Sequence, residues 1–305
     1  MRNNIEISII ILTKNAESNI HKTISIVLSQ EINQKLEVIV IDSGSTDRTV
    51  EIIKKFPGVT LVQKRPDEFQ HGKTRNIGAK MARGRYLVFL NGDAIPKDKK
   101  WLGSLLNNFE RDEKVVGIYS RHIPKENCHI YMALEISSGM RPIKETKNFS
   151  YLSGNDLQRH MLNLIRFSTV SCAIKKEIWK QMPFVEDLPV AEDQQWSKRV
   201  LAAGYTIVYE PSSVVIHSHN YTRRQMFKYY YDNSIAFNTI LGKKKSSFNF
   251  LWRLLFFPIR SFLETSSILK YGRENGYSVH QIFSEMIIAI SSRFSALLGE
   301  IYGNK

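Results

Sequence analysis

The chain has 305 residues, 43% hydrophobic and 24% charged, with a formal net charge of +14. This balance excludes a disordered tail, a collagen-like chain and a disulfide-stapled scaffold, and the length suits one large α/β domain or a domain with a helical extension. The only cysteines, Cys128 and Cys172, form no C-x-x-C pair, which rules out a cysteine zinc site and points to a reducing compartment with both thiols as small buried hydrophobes. The first apolar run, Ile7–Leu12, is too short for a secretory signal. No unbroken apolar stretch reaches the roughly 18 residues of a spanning helix, so the expectation is a protein that does not cross a membrane.

In chain order, Ser8–Thr13, Glu37–Ile41, Thr60–Gln63 and Tyr86–Leu90 read as strands. Three of these are almost wholly apolar, as parallel strands covered on both faces are. Asn19–Gln30, Thr46–Lys55 and Lys73–Ala82 read as helices between them. The βαβαβα order predicts a right-handed, doubly wound, mostly parallel sheet with its ligand at the carboxyl ends of the strands. Residues 121–163 read as loop-rich. A strand at Thr169–Ile174, helices at Lys176–Gln181 and Asp193–Ala203 and a strand at Thr206–Tyr209 follow, with Gly204 as a helix C-cap. A further apolar strand, Val214–Ile216, ends in His217 and His219.

Beyond residue 220 the chain reads as basic amphipathic helices: Tyr221–Gly242, Asn249–Phe257, Ile259–Lys270 and Val279–Tyr302. Lys243–Lys245 and Pro258 act as breaks. This stretch holds 12 Lys and Arg against 5 Asp and Glu, half of the whole excess. The domain division is therefore 1–220 and 221–305. Apolar faces flanked by cations suit the surface of an anionic membrane, and equally suit packing on the first domain or on a second copy.

Candidate chemistry sits where a doubly wound sheet presents ligands. Thr13 and Asn15 follow the first strand, and Asp42 and Ser43 follow the second, beside a Gly turn and a helix N-terminus that can face phosphate. Asn91, Gly92 and Asp93 follow the fourth strand, where a lone carboxylate in a Gly turn suits a hard divalent cation. Each is also ordinary turn chemistry. Glu192 and Asp193 open a helix. The macrodipole alone would explain them, and a general base aimed into the cleft is the sharper reading. No G-x-G-x-x-G or G-x-x-x-x-G-K-[ST] is present, which removes the main support for dinucleotide and P-loop readings.

The order of these pieces is more specific than any one of them. Strand-Thr-x-Asn, Val-Ile-Asp-Ser-Gly-Ser-Thr-Asp, Phe69-Gln70-His71-Gly72-Lys73-Thr74-Arg75-Asn76, Asn-Gly-Asp-Ala, Glu-Asp and His-x-His together resemble the family 2 glycosyltransferases over Glu6 to Tyr221, and most closely the rhamnosyltransferase-like subgroup. The resemblance implies a GT-A fold and an inverting, metal-dependent hexosyltransferase of the cytoplasm, peripheral on the inner face of the cell membrane. The donor would be a nucleotide-diphosphate sugar, and the acceptor a growing surface glycan or lipid-linked oligosaccharide. Thr13, Asn15 and Asp42 would line the nucleoside pocket, Asp93 would bind a divalent metal (Mn or Mg), and Asp193 would be the base. His217 or His219 would complete the metal or diphosphate contacts, and Lys73 and Arg75 would face the diphosphate. Ser43 stands where many members have a second Asp, and Asn91 where the first acid of D-x-D would stand. A basic nucleic-acid-binding protein and a nucleotide-sugar-binding scaffold without turnover are the competing readings. Basic and aromatic residues do not interleave as nucleic-acid surfaces require, so no nucleic acid partner is expected. The oligomeric state is not legible.

Overall fold

The computed structural model describes residues 5–149, 154–242 and 247–302. The elements run β1 Ile7–Thr13, α1 Ile20–Leu28, β2 Leu36–Asp42, α2 Thr49–Ile53, β3 Val59–Gln63, α3 His71–Met81, β4 Tyr86–Asn91, β5 Ile95–Pro96, α4 Trp101–Leu106, β6 Val115–Ile123, α5 Ile130–Gly139, β7 Glu145–Lys147, α6 Gly154–Leu164, β8 Ser171–Lys175, α7 Lys176–Gln181, α8 Glu192–Ala202, β9 Thr206–Ile216, α9 Arg223–Leu241, α10 Ser247–Glu274 and α11 Val279–Tyr302. They divide into two compact units. The first is Met1–His122, Met140–Leu188 and Glu192–His217, and the second is Ile123–Gly139, Pro189–Ala191 and Ser218–Lys305.

The first unit is built on a sheet ordered β3-β2-β1-β4-β8-β6-β9-β5, with β7 beside β9. β1 pairs in parallel with β2 and β4, and β2 with β3. All of β1 is buried, and the Ile9, Ile11, Val38, Val40, Val88 and Leu90 side chains fill one core with Ile20, Ile24 and Val27 of α1. Apolar on both faces, these strands could only lie in the middle of a covered sheet. Beyond β4 the pairing turns antiparallel, since β8 runs against both β4 and β6. α3 lies close on β1: a Cβ at Gly78 would stand 2.4 Å from Ile10 Cγ2, a distance that requires glycine. The α/β architecture expected from the sequence is present, with its parallel ladders running from β3 through β2 and β1 to β4.

Several expectations change. The stretch 121–163, read as loop, holds α5, β7 and part of α6. The two strands read at 206–209 and 214–216 are one strand, β9. Its partners β7 and β5 pair with residues 207–209 and 215–216, so Pro211 falls in the gap between them and breaks neither ladder. Gly204 ends α8 with φ +86°, the left-handed cap expected there.

The second unit is helical. Ile130, Met132 and Ala133 of α5, Met226 of α9, Ile268 of α10 and Ile282, Ile288 and Ala289 of α11 form its core. α9 starts with a capping box, Thr222 and Gln225, and stops at Gly242 with φ 62°. Pro258 does not break the chain here. It lies inside α10, where a proline removes one intrahelical hydrogen bond without ending the helix. Lys243–Lys245 lie outside the described residues.

One helical segment among the described residues, Val279–Gly299 of α11, is long and apolar enough to cross a membrane, with a mean hydropathy of 1.4. No unbroken apolar run was expected to reach that length. The window passes because its charges are few, and 44% of it is buried in the protein. Its Glu285 takes a 2.6 Å contact from His129 Nδ1 and accepts from Tyr131 N. This is how a core helix is held. Cys172 of β8 and Cys128 are both buried, one in each unit, and burial raises both thiol pKa values.

Candidate active site

The ends of β1 and β2 are tied together by the loops that leave them. Asn15 Oδ1 accepts from Thr46 N at 2.8 Å, and Asn15 N donates to Ser45 Oγ at 2.8 Å. Asn15 adopts φ 49°, a left-handed conformation that Asn reaches more readily than most residues. Asp42 is fully buried and accepts from Gly44 N (3.1 Å), Ser45 N (3.0 Å) and the Ser45 hydroxyl. Its carboxylate therefore shapes the turn. The hydroxyls of Thr13 and Ser43 are buried without a hydrogen-bond partner among the described residues. Unpaired buried hydroxyls are uncommon and call for an explanation.

Asn91, Gly92 and Asp93 leave the end of β4. A Cβ on Gly92 would stand 2.5 Å from Thr13 Oγ1, so glycine is what lets the two loops meet. Asp93, part-exposed, has its Oδ2 3.6 Å from Nε2 of the buried His217 just past β9. The His217 ring meets His122 of β6 edge-on at 5.8 Å between centroids. Burial, then His217, pushes the His122 pKa down to about 3, so this second ring is neutral. His219 belongs to the second unit, where its ring stacks on Tyr221 at 4.9 Å.

A carboxylate oxygen and an imidazole nitrogen at this spacing fit one divalent ion, whose ligands sit about 2.0–2.2 Å from it and so about 3–4 Å from one another. The donor set suits such an ion.

The Phe69–Asn76 stretch and the start of α8 form one assembly. Gln70 caps α3, accepting from Lys73 N at 2.6 Å, and its amide donates to Leu188 O. Gly72 leaves room for Val185 O, which would stand 2.0 Å from any Cβ there. Asn76 donates to Phe184 O and to Glu186 Oε1, both at 2.8 Å, and accepts from Trp179 Nε1 at 2.9 Å. Arg75 is buried and donates to Glu192 Oε1 at 2.5 Å, to Asn91 Oδ1 at 3.4 Å and to His71 Nδ1 at 3.4 Å. Lys73 is exposed. Of the two cations read from this stretch, one is open to solvent and the other is committed to a buried ion pair.

Glu192 and Asp193 diverge, as adjacent helix positions turned by about 100° do. Glu192 is buried on Arg75. Asp193 Oδ2 accepts from Thr169 N at 3.0 Å and from Thr169 Oγ1 at 3.2 Å, and its Oδ1 accepts from Gln194 N at 2.8 Å. Burial, then the neighbouring Glu192, raises the Asp193 pKa to about 6. A carboxyl tuned there is poised to exchange a proton near neutrality. Sequence reasoning gave no role to Gln70 and Asn76 beyond their place in the Phe69–Asn76 motif, or to Thr169 beyond the start of a strand. The signal for Thr169 was the polar Ser168-Thr169 pair ahead of an apolar strand.

Known proteins bear on this site. Residues 8–173 match the family described as Glycosyl transferase family 2. The O-antigen chain rhamnosyltransferase WbaN of Salmonella anatum is 32% identical over 214 residues, 68% of this chain and 64% of the relative's own length. The O-antigen chain rhamnosyltransferase RfbN of Salmonella typhimurium is 28% identical over 238 residues, 75% of this chain and 72% of that protein. Among solved structures, a mannosyltransferase from Pyrobaculum calidifontis, in complex with GDP-Man and Mn2+, superposes with a TM-score of 0.63 at 15% identity, over 98% of this chain and 88% of that one. That likeness is one of fold, the GT-A type. With its motifs in register along the first unit and more than half its length matched, the chain belongs to glycosyl transferase family 2.

Proposed function

We propose that this glycosyltransferase moves a deoxyhexose such as rhamnose from a nucleotide-diphosphate donor to a hydroxyl of a growing, lipid-linked surface glycan, with inversion at the anomeric carbon. The observation that carries the reading is Asp193: a carboxyl at the start of α8, held by Thr169, turned away from Glu192 and with a pKa raised to about 6. The acceptor hydroxyl is a very weak acid, and Asp193 takes its proton as the oxygen attacks. Arg75 holds Glu192, and so fixes the first turn of the helix that carries the base. One displacement from the face opposite the leaving diphosphate inverts the centre, with no covalent intermediate and no second carboxylate as nucleophile.

The buried hydroxyls of Thr13 and Ser43 are proposed to meet the nucleoside, with Asn15 and Asp42 shaping the loops around it. Lys73 is proposed to meet the diphosphate. Asp93 and His217 would hold a divalent ion, Mn²⁺ or Mg²⁺, which when bound supplies positive charge against the departing diphosphate. His219, two residues on, is proposed as the third member of this ligand set. The test is a screen of the purified protein with hexose and deoxyhexose nucleotide-diphosphates, with and without Mn²⁺. Release of nucleoside diphosphate with one deoxyhexose donor is the expected result, and turnover of hexose donors alone would remove the rhamnose reading.

The second unit supports a peripheral membrane location on the cytoplasmic side. Val279, Phe283, Ile287, Ile290 and Phe294 form one stripe of α11, spaced three or four apart, and all are exposed. Leu255, Ile259 and Phe262 do the same on α10, where Phe262 is 69% exposed. Apolar stripes beside a strongly basic segment match an anionic bilayer in both respects.

A further inference from the structure

The chemistry assigned so far leaves Phe69 and His71 unused. Phe69 is 38% exposed, and its ring meets the His71 ring edge-on at 4.8 Å and 74°. An arginine only donates, so the 3.4 Å contact from Arg75 makes His71 Nδ1 an acceptor and places the ring proton on Nε2. Among the described residues nothing takes that proton, and the ring is part-exposed. Burial, then the Arg75 charge, lowers the His71 pKa to about 4, so the ring is a neutral donor at working pH. Asp193 lies close enough for its charge to act on the same ring.

We infer that Phe69 and His71 form the subsite for the acceptor sugar, Phe69 offering a ring face and His71 Nε2–H a hydrogen bond to an acceptor oxygen next to the one that Asp193 deprotonates. The inference rests on the transferase reading above. A pyranose presents a face of weakly positive C–H groups, which suits the negative face of an aromatic ring, with hydroxyls at its rim that need directed partners. A diphosphate would instead call for a cation, which a neutral His71 is not and the exposed Lys73 is. His71 is a positioning residue here. It orients the hydroxyl and does not take its proton.

Saturation-transfer NMR with a panel of methyl hexopyranosides reads binding without turnover. The parent should bind at least one member, and Phe69→Ala and His71→Phe should each weaken it about tenfold, the order of one lost contact of this kind. His71→Gln, whose amide can put an N–H near the position of Nε2, should recover most of the loss. Steady-state kinetics of the same variants should raise the acceptor KM and leave the donor KM unchanged. No saturation transfer to the parent, equal binding in all variants, or a rise in donor KM would each overturn the subsite. Pyranoside binding that depends on Phe69 and His71, in a protein that turns over no donor, would keep the subsite and remove the transferase reading.

Discussion

Arg75 and Glu192 stand 117 positions apart in sequence and meet at 2.5 Å with both side chains 4% exposed. One comes from the first turns of α3 and the other opens α8, so this ion pair ties the helix that carries Asp193 to α3. Buried pairs are costly to break because the survivor keeps its charge without water.

Arg75→Met should therefore destabilise the protein by about 3–5 kcal/mol, measured by urea unfolding. Glu192→Gln, which still accepts a hydrogen bond, should lose less. The double variant Arg75→Met with Glu192→Leu should recover much of the single loss, since an apolar pair of similar volume carries no stranded charge. A loss below about 1 kcal/mol in Arg75→Met would place the pair with surface bridges.

Asp193→Asn should lower transfer by ~10²–10⁴-fold with donor affinity unchanged. In the parent the rate should fall as pH drops through about 6, because only the ionised carboxyl accepts a proton, and the variant should lack that limb. Stability carries the opposite sign. The folded pKa is raised above the ordinary 3.8, so the contribution of Asp193 is complete below 3.8 and lost as pH rises through about 6. The melting temperature of Asp193→Asn relative to the parent should accordingly climb between pH 4 and pH 7. A relative stability flat across that range would mean that the carboxyl is not raised.

Asp93→Asn should weaken donor binding chiefly by removing the metal-dependent part. Asn91 has no charge to replace it, and His217 alone is a poor ligand for a hard ion. Calorimetric titration of donor with Mn²⁺ present and absent separates the two contributions. A variant that keeps the full Mn²⁺-dependent gain would show that Asp93 is not a ligand.

Phe262→Asp on α10 and Phe283→Asp on α11 should reduce co-sedimentation with anionic phosphatidylglycerol vesicles without altering donor binding. Salt should weaken the interaction of the parent by screening the charge term while leaving the apolar term. Equal recovery of the parent on neutral and anionic vesicles, or none on either, would remove the membrane reading.

The parallel half of the fold was open to reading because its strands announce themselves. Ile7–Leu12 and Tyr86–Leu90 are nearly unbroken apolar runs, each ending in polar residues at the site. The antiparallel half was harder. Periodicity marks a strand but not its direction, and β6 and β9 gave no local sign that β8 would lie between β4 and β6. Pro258 looked like a stop, but it lies inside α10. Arg75 was expected to face the diphosphate, and its buried partner, 117 positions away, left no local sign. Asp193 stood out in the Glu-Asp pair at a helix start, whereas the only local sign of Thr169, which donates to it, was a polar pair ahead of an apolar strand.

The placement of the thiols makes the chain its own probe of opening. Cys172 sits in the middle of the sheet and Cys128 in the helical unit, and neither is accessible while its surroundings stay folded. A buried thiol reacts only when the structure around it opens. Brief alkylation pulses at rising denaturant, followed by peptide mass analysis, would time the opening of the sheet and of the helical unit separately. If the helical unit's thiol reacts first, that unit can open while the sheet that carries the candidate site is still folded.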